Sequence, residues 1–360
     1  MPSLNGLNGH ANGNGLTNVV HGSANGSEGR ILKPGVWAPI PTFFDDNEDI
    51  EHVVRLAKAG MAPVVCGSMG EAHHLTAEER TGLIGEARKA LDAEGLSDTI
   101  LIAGCGGNST RATISLCQSA AEVGADVAIV IPPGYYAGAL PKPALKEFFL
   151  SVQQASPLPV MIYNFPGATG GIDMDSDLVE EIAREGKNIC GIKLTCGAVG
   201  KLTRITAATA VPSFFEEFPR RSTIAPRFLT LGGFADFMLP SVLGGRAHGA
   251  IMGLGNIYPH SLRKLFDLSY DLATSPSPSP AALAKALALQ DLVSAADASF
   301  TRGGIAGTKW YLHQHRGYRN GRVRRPLLDF DAARGAALEQ EEGVVKLMAI
   351  EKALEEGSSY

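Results

Sequence analysis

The sequence has few cysteines, and their arrangement excludes two classes of small stabilised protein. Five cysteines occur among 360 residues, an odd count, and no two form a Cys-x-x-Cys motif. Such spacing supplies neither a disulfide framework nor a structural zinc site, and it is typical of reduced thiols in a reducing compartment. The five are Cys66, Cys105, Cys117, Cys190 and Cys196.

An excess of positive charge is also missing, and so are long apolar runs. The formal net charge is −5 and the isoelectric point is about 6.0, so no basic surface for nucleic acid or for an anionic membrane is predicted. The longest apolar runs have the length of a strand and fall far short of a membrane-spanning helix. We therefore expect a small-molecule ligand, with no nucleic acid and no membrane as partner.

The first 29 residues contain neither arginine nor lysine and consist mainly of asparagine, glycine, serine, histidine and small apolar residues. A segment of this composition cannot bury enough surface to fold, so a disordered tail over residues 1–30 is predicted. A signal peptide begins with basic residues, and a mitochondrial presequence contains arginines. We accordingly expect a cytoplasmic protein.

The remainder of the chain alternates short apolar runs with segments of helical periodicity. Hydrophobic residues make up 45% of the sequence, which is enough for a large core. Eight strand–helix units in order predict an α/β fold, a (β/α)₈ TIM barrel over residues 31–275, with a doubly wound sheet as the alternative. The predicted strands are residues 36–41, 64–66, 100–103, 127–131, 160–163, 190–193, 228–231 and 250–252.

Two segments depart from this alternation. Beyond a Ser-Pro repeat at residues 275–280 the strands stop, and helical periodicity predicts a C-terminal helical extension over residues 281–360 that packs on the barrel or makes subunit contacts. The stretch from Glu216 to Arg227 is too polar for a buried strand. We interpret it as a loop inserted in the seventh unit, without a functional assignment.

Polar residues stand at several strand ends, and these ends converge at one mouth of a parallel barrel. Lys193 closes the sixth predicted strand, and Tyr163 closes the fifth. Ser68 lies in a glycine-rich turn after the second strand, and Tyr136 follows the fourth. A lysine at the end of an apolar strand is partly removed from water, which favours the neutral, nucleophilic amine.

Six motifs in this order and spacing carry a family resemblance, although each alone is weak. From about residue 34 to about residue 340 the chain resembles the dihydrodipicolinate synthase and N-acetylneuraminate lyase superfamily of class I aldolases. The motifs are Gly-Ser-Met-Gly-Glu at 67–71, Leu-Thr-Ala-Glu-Glu-Arg at 75–80, Gly-Ala-Asp at 124–126, Pro-Gly-Tyr-Tyr at 133–136, Tyr-Asn-Phe-Pro at 163–166 and Gly-Ile-Lys at 191–193.

The resemblance implies catalytic roles for four residues. Lys193 is expected to form a Schiff base with the C2 carbonyl of a 2-oxo acid, so that the C3–C4 bond breaks or forms through a pyruvate enamine. Tyr163 is expected to act as general acid and base, with Ser68 relaying its proton. Tyr136 matches a tyrosine that completes a neighbour's relay, which implies a homodimer or homotetramer; Tyr135 is the alternative for this part.

The resemblance also implies substrate-binding positions. The backbone N–H groups of the turn that holds Ser68 and Met69 are expected to bind the substrate carboxylate, as such nests do. Thr195 and His74 are candidates for the substrate's distal hydroxyls, each with an ordinary structural role as the alternative. Gly232 and Ile251 match family positions whose backbone is expected to line the substrate pocket. We expect no cofactor and no metal.

The identity of the substrate is narrowed by one missing residue. The synthase pattern has an arginine two residues past the proline of the Tyr-Asn-Phe-Pro motif, where this chain has Ala168, so dihydrodipicolinate synthesis is disfavoured. Residues 171–177 and 195–204 resemble eukaryotic 2-keto-3-deoxy-L-galactonate (L-threo-3-deoxy-hexulosonate) aldolases, which give pyruvate and L-glyceraldehyde.

Several alternatives stay open at this stage. A 4-hydroxy-2-oxoglutarate aldolase, which gives pyruvate and glyoxylate, is the nearest, followed by a synthase-like enzyme or hydratase-aldolase of a specialised pathway. A metal-dependent class II aldolase would need clustered ligands at the strand ends, where only the adjacent His73 and His74 occur. A catalytically inactive barrel with a regulatory role is the non-enzymatic hypothesis, since a fold alone proves no activity.

Overall fold

The computed structural model describes residues 30–44 and 48–358, and a closed barrel of eight parallel strands forms its centre. The strands are β1 Gly35–Pro39, β2 Ala62–Val65, β3 Ile102–Gly104, β4 Val127–Val130, β5 Val160–Asn164, β6 Ile189–Leu194, β7 Leu229–Gly232 and β8 Gly249–Ile251. Each strand pairs with the next in sequence, and β8 pairs with β1 to close the barrel. The predicted fold class is confirmed. The tail predicted over residues 1–30 lies outside the described residues except for Arg30.

Helices follow the strands and cover the outside of the barrel. They are α1 Glu48–Lys58, α2 Ala77–Ala93, α3 Thr110–Glu122, α4 Lys142–Ala155, α5 Ser176–Glu185, α6 Val199–Thr209, α7 Pro212–Glu217, α8 Pro259–Thr274, α9 Pro280–Arg316, α10 Ala332–Glu339 and α11 Glu342–Glu355. A capping box begins α2: Glu79 N–H donates to Thr76 Oγ1 at 3.2 Å, and Thr76 N–H donates to the Glu79 carboxylate at 2.9 Å. Such caps satisfy N–H groups that have no partner within the helix.

The barrel strands are buried on both faces, which explains their continuous apolar sequences. One apolar cluster fills the barrel interior and includes Trp37, Ile102, Met161 and Leu231. A second, larger cluster joins the outer strand faces to the helices. The side chains that carry chemistry therefore stand where the strands end.

The segment after β7 becomes helical only from residue 238, three residues past Ala235. Residues 238–244 are helical, and Pro240–Gly244 within them form a π-helical turn. The N–H groups of Ala235 and Asp236 donate to the Asp297 carboxylate of α9 at 2.8 and 3.1 Å, and Leu239 N–H donates to the Gln290 side chain at 2.7 Å. Tertiary hydrogen bonds thus take the place of the first helical turns.

The polar stretch from Glu216 to Arg227 is only partly a loop. Its first two residues end α7, and the remainder runs as irregular chain toward β7. The Arg220 guanidinium donates to the carbonyls of Gly186 and Ile189 at 3.0 and 3.1 Å, just before and at the start of β6. The segment therefore supports the amino-terminal end of the barrel, opposite to the mouth.

Helix α9 is the longest element of the C-terminal extension, and it is interrupted once. Gly304 has φ 60° and ψ −152°, a conformation that only glycine adopts readily, so two helical halves meet there at an angle. The helix packs against α8, α10 and α11, and part of it lies over the barrel mouth. Among the described residues, no helix combines the length and apolar character needed to cross a membrane.

Candidate active site

A cavity of about 360 Å³ lies at the carboxyl ends of the strands, and it contains five of the predicted site residues. These five are Lys193, Tyr163, Ser68, Met69 and Thr195. Strand register explains their meeting, because Tyr163 of β5 is the direct partner of Lys193 on β6. The carboxyl ends of parallel barrel strands form the site in barrels of this kind.

Lys193 and Tyr163 are in contact within this cavity. The Lys193 Nζ atom lies 4.3 Å from the centroid of the Tyr163 ring, and both residues are buried. The Tyr163 ring also stacks on Phe165 with centroids 5.7 Å apart. The amine of Lys193 and the phenol of Tyr163 are thus held side by side by apolar packing.

The turn after β2 has a strained backbone on both sides. Cys66 and Glu71 flank it with positive φ angles of 57° and 54°, which are uncommon for residues other than glycine. Among the described residues, the N–H groups of Ser68 and Met69 donate no hydrogen bond. Adjacent free N–H groups in a turn of this shape can bind a carboxylate.

Glu71 holds this turn against the C-terminal extension. Its carboxylate accepts hydrogen bonds from Lys309 Nζ at 3.0 Å and from Arg324 N–H at 2.8 Å. The side chains of Glu71 and Lys309 are both fully buried. His74 Nδ1 lies 3.2 Å from the same carboxylate, so His74 is held outside the cavity.

Thr195 presents an unsatisfied hydroxyl to the cavity. Its backbone N–H donates to the Asn164 carbonyl at 2.9 Å, but its buried Oγ1 makes no hydrogen bond within the described residues. A buried hydroxyl without a partner is costly, so a ligand that bonds it would recover that free energy.

Three other predicted residues are not among those that line the cavity. Gly232 ends β7 and Ile251 ends β8, where the adjoining Gly233 and Gly253 line it instead. Tyr136 is 68% exposed, and its ring contacts Tyr135 at 4.9 Å, away from Lys193. One chain therefore does not bring Tyr136 to the lysine.

Helix α9 contributes a wall of the cavity that the sequence did not assign to the site. The lining residues follow helical spacing, a signal that indicates one inward face but not what it faces. They are Asp297, Phe300, Thr301, Gly304, Ile305 and Thr308. Asp297 is 4% exposed, and burial, with the nearby Asp236 carboxylate, raises its pKa to about 7.

The side chains that could ligate a metal lie elsewhere. Within the described ranges, His260, Glu351 and Glu355 form a close group of this kind. Glu351 already accepts hydrogen bonds from the backbone N–H groups of His260 and Ser261, and Arg316 pairs with Glu355 at 2.8 Å. The group is a connection between α8 and α11.

Together the fold and this mouth define a (β/α)₈ barrel that holds a buried lysine beside a tyrosine, and the comparisons with known proteins agree. The model of the dihydrodipicolinate synthetase family matches residues 46–341. The chain belongs to this family, which confirms the resemblance seen in its motifs.

Named relatives cover nearly the whole chain. L-threo-3-deoxy-hexylosonate aldolase of Hypocrea jecorina is 40% identical over 331 residues, 90% of this chain and 98% of that protein. A protein of Emericella nidulans named "probable 4-hydroxy-2-oxoglutarate aldolase, mitochondrial" is 39% identical over 318 residues, 86% and 94% of the two chains. These names agree with the predicted carbon–carbon lyase.

A solved structure gives the same result for the fold. A dihydrodipicolinate synthase family protein from Coccidioides immitis superposes with a TM-score of 0.74 at 32% identity, covering 90% of this chain and 99% of that one.

Proposed function

We propose that this protein is a class I aldolase that cleaves 2-keto-3-deoxy-L-galactonate to pyruvate and L-glyceraldehyde. The observation that carries the proposal is the contact between Lys193 Nζ and the Tyr163 ring, 4.3 Å apart, in a buried cavity at the barrel mouth. The name of the Hypocrea jecorina relative supports this choice of substrate.

The chemistry begins with Lys193. Its neutral amine attacks the C2 carbonyl of the substrate, and loss of water gives an iminium. The substrate carboxylate binds the free N–H groups of Ser68 and Met69, which places C2 near the lysine. The positive iminium then withdraws electrons from the C3–C4 bond.

Tyr163 moves the protons. Its phenol first protonates the hydroxyl that leaves the carbinolamine as water, and the phenolate so formed then takes the proton of the C4 hydroxyl as the C3–C4 bond breaks and the aldehyde leaves. The remaining enamine is protonated at C3, and water releases pyruvate from Lys193. General acid–base catalysis of this kind contributes typically about 10²–10⁴-fold in rate. Ser68 relays the proton between Tyr163 and solvent.

A second candidate substrate is 4-hydroxy-2-oxoglutarate, with glyoxylate as the aldehyde. The name of the Emericella nidulans relative favours it, at an identity close to that of the first relative. The two substrates share the pyruvate half and the Lys193 chemistry, and they differ only beyond C4.

Trapping of the Schiff base tests the proposal. We expect borohydride reduction in the presence of pyruvate to attach a pyruvate-derived group to Lys193, located by peptide mass spectrometry. The Lys193→Arg variant should give no adduct, while Tyr163→Phe should still trap pyruvate but lose most aldol cleavage. A folded wild-type protein without any adduct would refute class I chemistry.

We also propose that the active unit is a homodimer or homotetramer in which Tyr136 of one subunit completes the relay of another. The exposure of Tyr135 and Tyr136, 85% and 68%, supports this, because large exposed aromatics are characteristic of interfaces. The test is complementation between Lys193→Ala and Tyr136→Phe, each expected to be nearly inactive.

In a mixed dimer, one site keeps both Lys193 and a partner's intact tyrosine. Random exchange of subunits then restores about one quarter of wild-type activity, because half of the dimers are mixed and half of their sites are intact. No recovery after subunit exchange, verified by native mass spectrometry, would show that Tyr136 serves its own chain or none.

A cytoplasmic location remains a prediction. The Emericella nidulans relative carries the word mitochondrial in its name. Fractionation of cells that express the tagged full chain would decide between the two compartments.

A further inference from the structure

Asp297 is the feature of the cavity that the reaction itself does not use. It stands on α9 and lines the cavity that contains Lys193. One carboxylate oxygen, Oδ2, accepts hydrogen bonds from the N–H groups of Ala235 and Asp236 at 2.8 and 3.1 Å. The side chain is therefore fixed to the loop after β7.

The other oxygen of Asp297 has no partner. Within the described residues, Oδ1 accepts no hydrogen bond, and no ion pair joins Asp297 to Lys193. Lys193 is the only lysine or arginine among the described residues that line the cavity. A carboxylate that is 4% exposed and unpaired is costly to ionise, and hydrogen-bond donors from a ligand would offset that cost.

Asp297 and Thr195 lie on either side of the same loop. A Cβ atom on Gly233 would stand 2.1 Å from Thr195 Oγ1, so the loop backbone runs directly past that hydroxyl before reaching Ala235. Thr195 Oγ1 is buried without a partner. An unused hydroxyl and an unused carboxylate oxygen therefore face one cavity from neighbouring positions.

This pair lies away from the turn that holds Ser68. That turn follows β2, whereas Thr195 and the loop follow β6 and β7, and in a closed barrel of eight strands β2 is opposite β6. A substrate whose carboxylate binds at Ser68 and whose C2 is joined to Lys193 extends its remaining carbons toward the β6–β7 side.

We propose that Asp297 determines aldehyde specificity: it accepts hydrogen bonds from the hydroxyls of a neutral polyhydroxyl aldehyde and excludes aldehydes that carry a carboxylate. This inference rests on the proposed function and deepens it. A second substrate carboxylate would meet the Asp297 carboxylate in a cavity whose described lining residues include no cation besides Lys193, which forms the Schiff base. Buried like charges repel strongly, and a site that pairs carboxylates uses arginine.

The test is the Asp297→Asn variant in the condensation direction at pH 8, above the pKa of about 7 of Asp297, with pyruvate and either L-glyceraldehyde or glyoxylate. Asparagine keeps an oxygen for the N–H groups of Ala235 and Asp236, so the loop keeps its hydrogen bonds. We expect kcat/KM for L-glyceraldehyde to fall roughly 10- to 100-fold, the usual value of a hydrogen bond to a charged group. We expect kcat/KM for glyoxylate to rise.

The matched control is Asp291→Asn, on the exposed side of the same helix, which should change neither value. The rate of pyruvate trapping on Lys193 should be unchanged in both variants. A structural role for Asp297 would instead lower kcat/KM for the two aldehydes and the trapping rate alike.

The outcomes separate the two proposals. If the wild type traps pyruvate but prefers glyoxylate, or if Asp297→Asn leaves the ratio of the two kcat/KM values unchanged, the inference is wrong and the aldolase proposal stands. If the wild type traps no pyruvate, the aldolase proposal itself fails.

Discussion

Replacement of Asp297 by asparagine should stabilise the protein at alkaline pH and leave its stability nearly unchanged in acid. Burial raises the pKa of Asp297 from its ordinary value of 3.8 to about 7, with the Asp236 carboxylate adding to the effect. Lys193 and Tyr163 are the other titratable residues among the described ones that line the cavity Asp297 faces. Because folded Asp297 binds its proton more tightly than Asp297 in the unfolded chain, the protein loses stability as rising pH removes that proton.

The magnitude follows from the pKa difference. Below pH 4 Asp297 is protonated in both states and contributes nothing. Between pH 4 and pH 7 the unfolded chain ionises while the folded protein does not, so the free energy of unfolding falls. Above pH 7 the full difference of about 3 pH units corresponds to roughly 4 kcal/mol. Asparagine does not ionise, so the Asp297→Asn variant lacks this loss.

Urea unfolding of the ligand-free protein, followed by circular dichroism at pH 5 and pH 8, measures the effect. The variant should unfold at a clearly higher urea concentration than the wild type at pH 8, and the difference in unfolding free energy at pH 5 should be less than half as large, about 1–2 kcal/mol. Asp291→Asn, which alters an exposed side chain of the same helix, is the control. A difference of equal size at both pH values, or a variant less stable at pH 8, would refute the assignment of a buried, destabilising charge.

Two further predictions concern α9. Lys309→Met should lower the free energy of unfolding, measured in urea, by about 3–5 kcal/mol, because it leaves the buried Glu71 carboxylate without the Lys309 ammonium. Adding Glu71→Gln to this variant should recover part of the loss. Gly304→Ala should lower the free energy of unfolding by about 1–3 kcal/mol, because φ 60° and ψ −152° suit only glycine. Gly303→Ala replaces a glycine in regular helix, so it should be neutral or slightly stabilising. Equal effects of the two alanines would contradict the proposed strain.

The barrel and the positions of Lys193 and Tyr163 at its mouth could be predicted because both depend on local sequence. Strands of a closed parallel barrel are buried on both faces, so they appear as short apolar runs, and the polar residue that ends such a run stands at the mouth. Lys193 and Tyr163 end neighbouring strands, and no distant information is needed to place them together. Family motifs then supplied their roles.

The α9 wall could not be predicted for a different reason. Helical spacing shows that one face of residues 297–308 is turned inward, but the element it meets is set by contacts that span many residues. Asp297 bonds to Ala235, 62 positions earlier in the chain. The same bonds hold residues 235 and 236 outside the helix that follows β7, so one long-range contact explains both the position of Asp297 at the cavity and the late start of that helix.

Tyr136 shows a limit of another kind. Its motif predicts a role at the active site, yet its side chain is exposed and lies away from Lys193 in the single chain. A residue that acts on a neighbouring subunit leaves no contact within its own fold. Only its exposure next to Tyr135 remains as a structural sign of that role.

The break at Gly304 divides α9 into halves that hold opposite sides of the mouth. The first half carries Asp297, which fixes the loop after β7, and the second carries Lys309, which fixes Glu71 in the turn after β2. Because β2 and β7 are three strands apart in the closed barrel, the helix connects two separate parts of the mouth. We therefore expect substitutions at Gly304 to shift these two parts of the mouth relative to each other, while Lys193 and its strand stay in place.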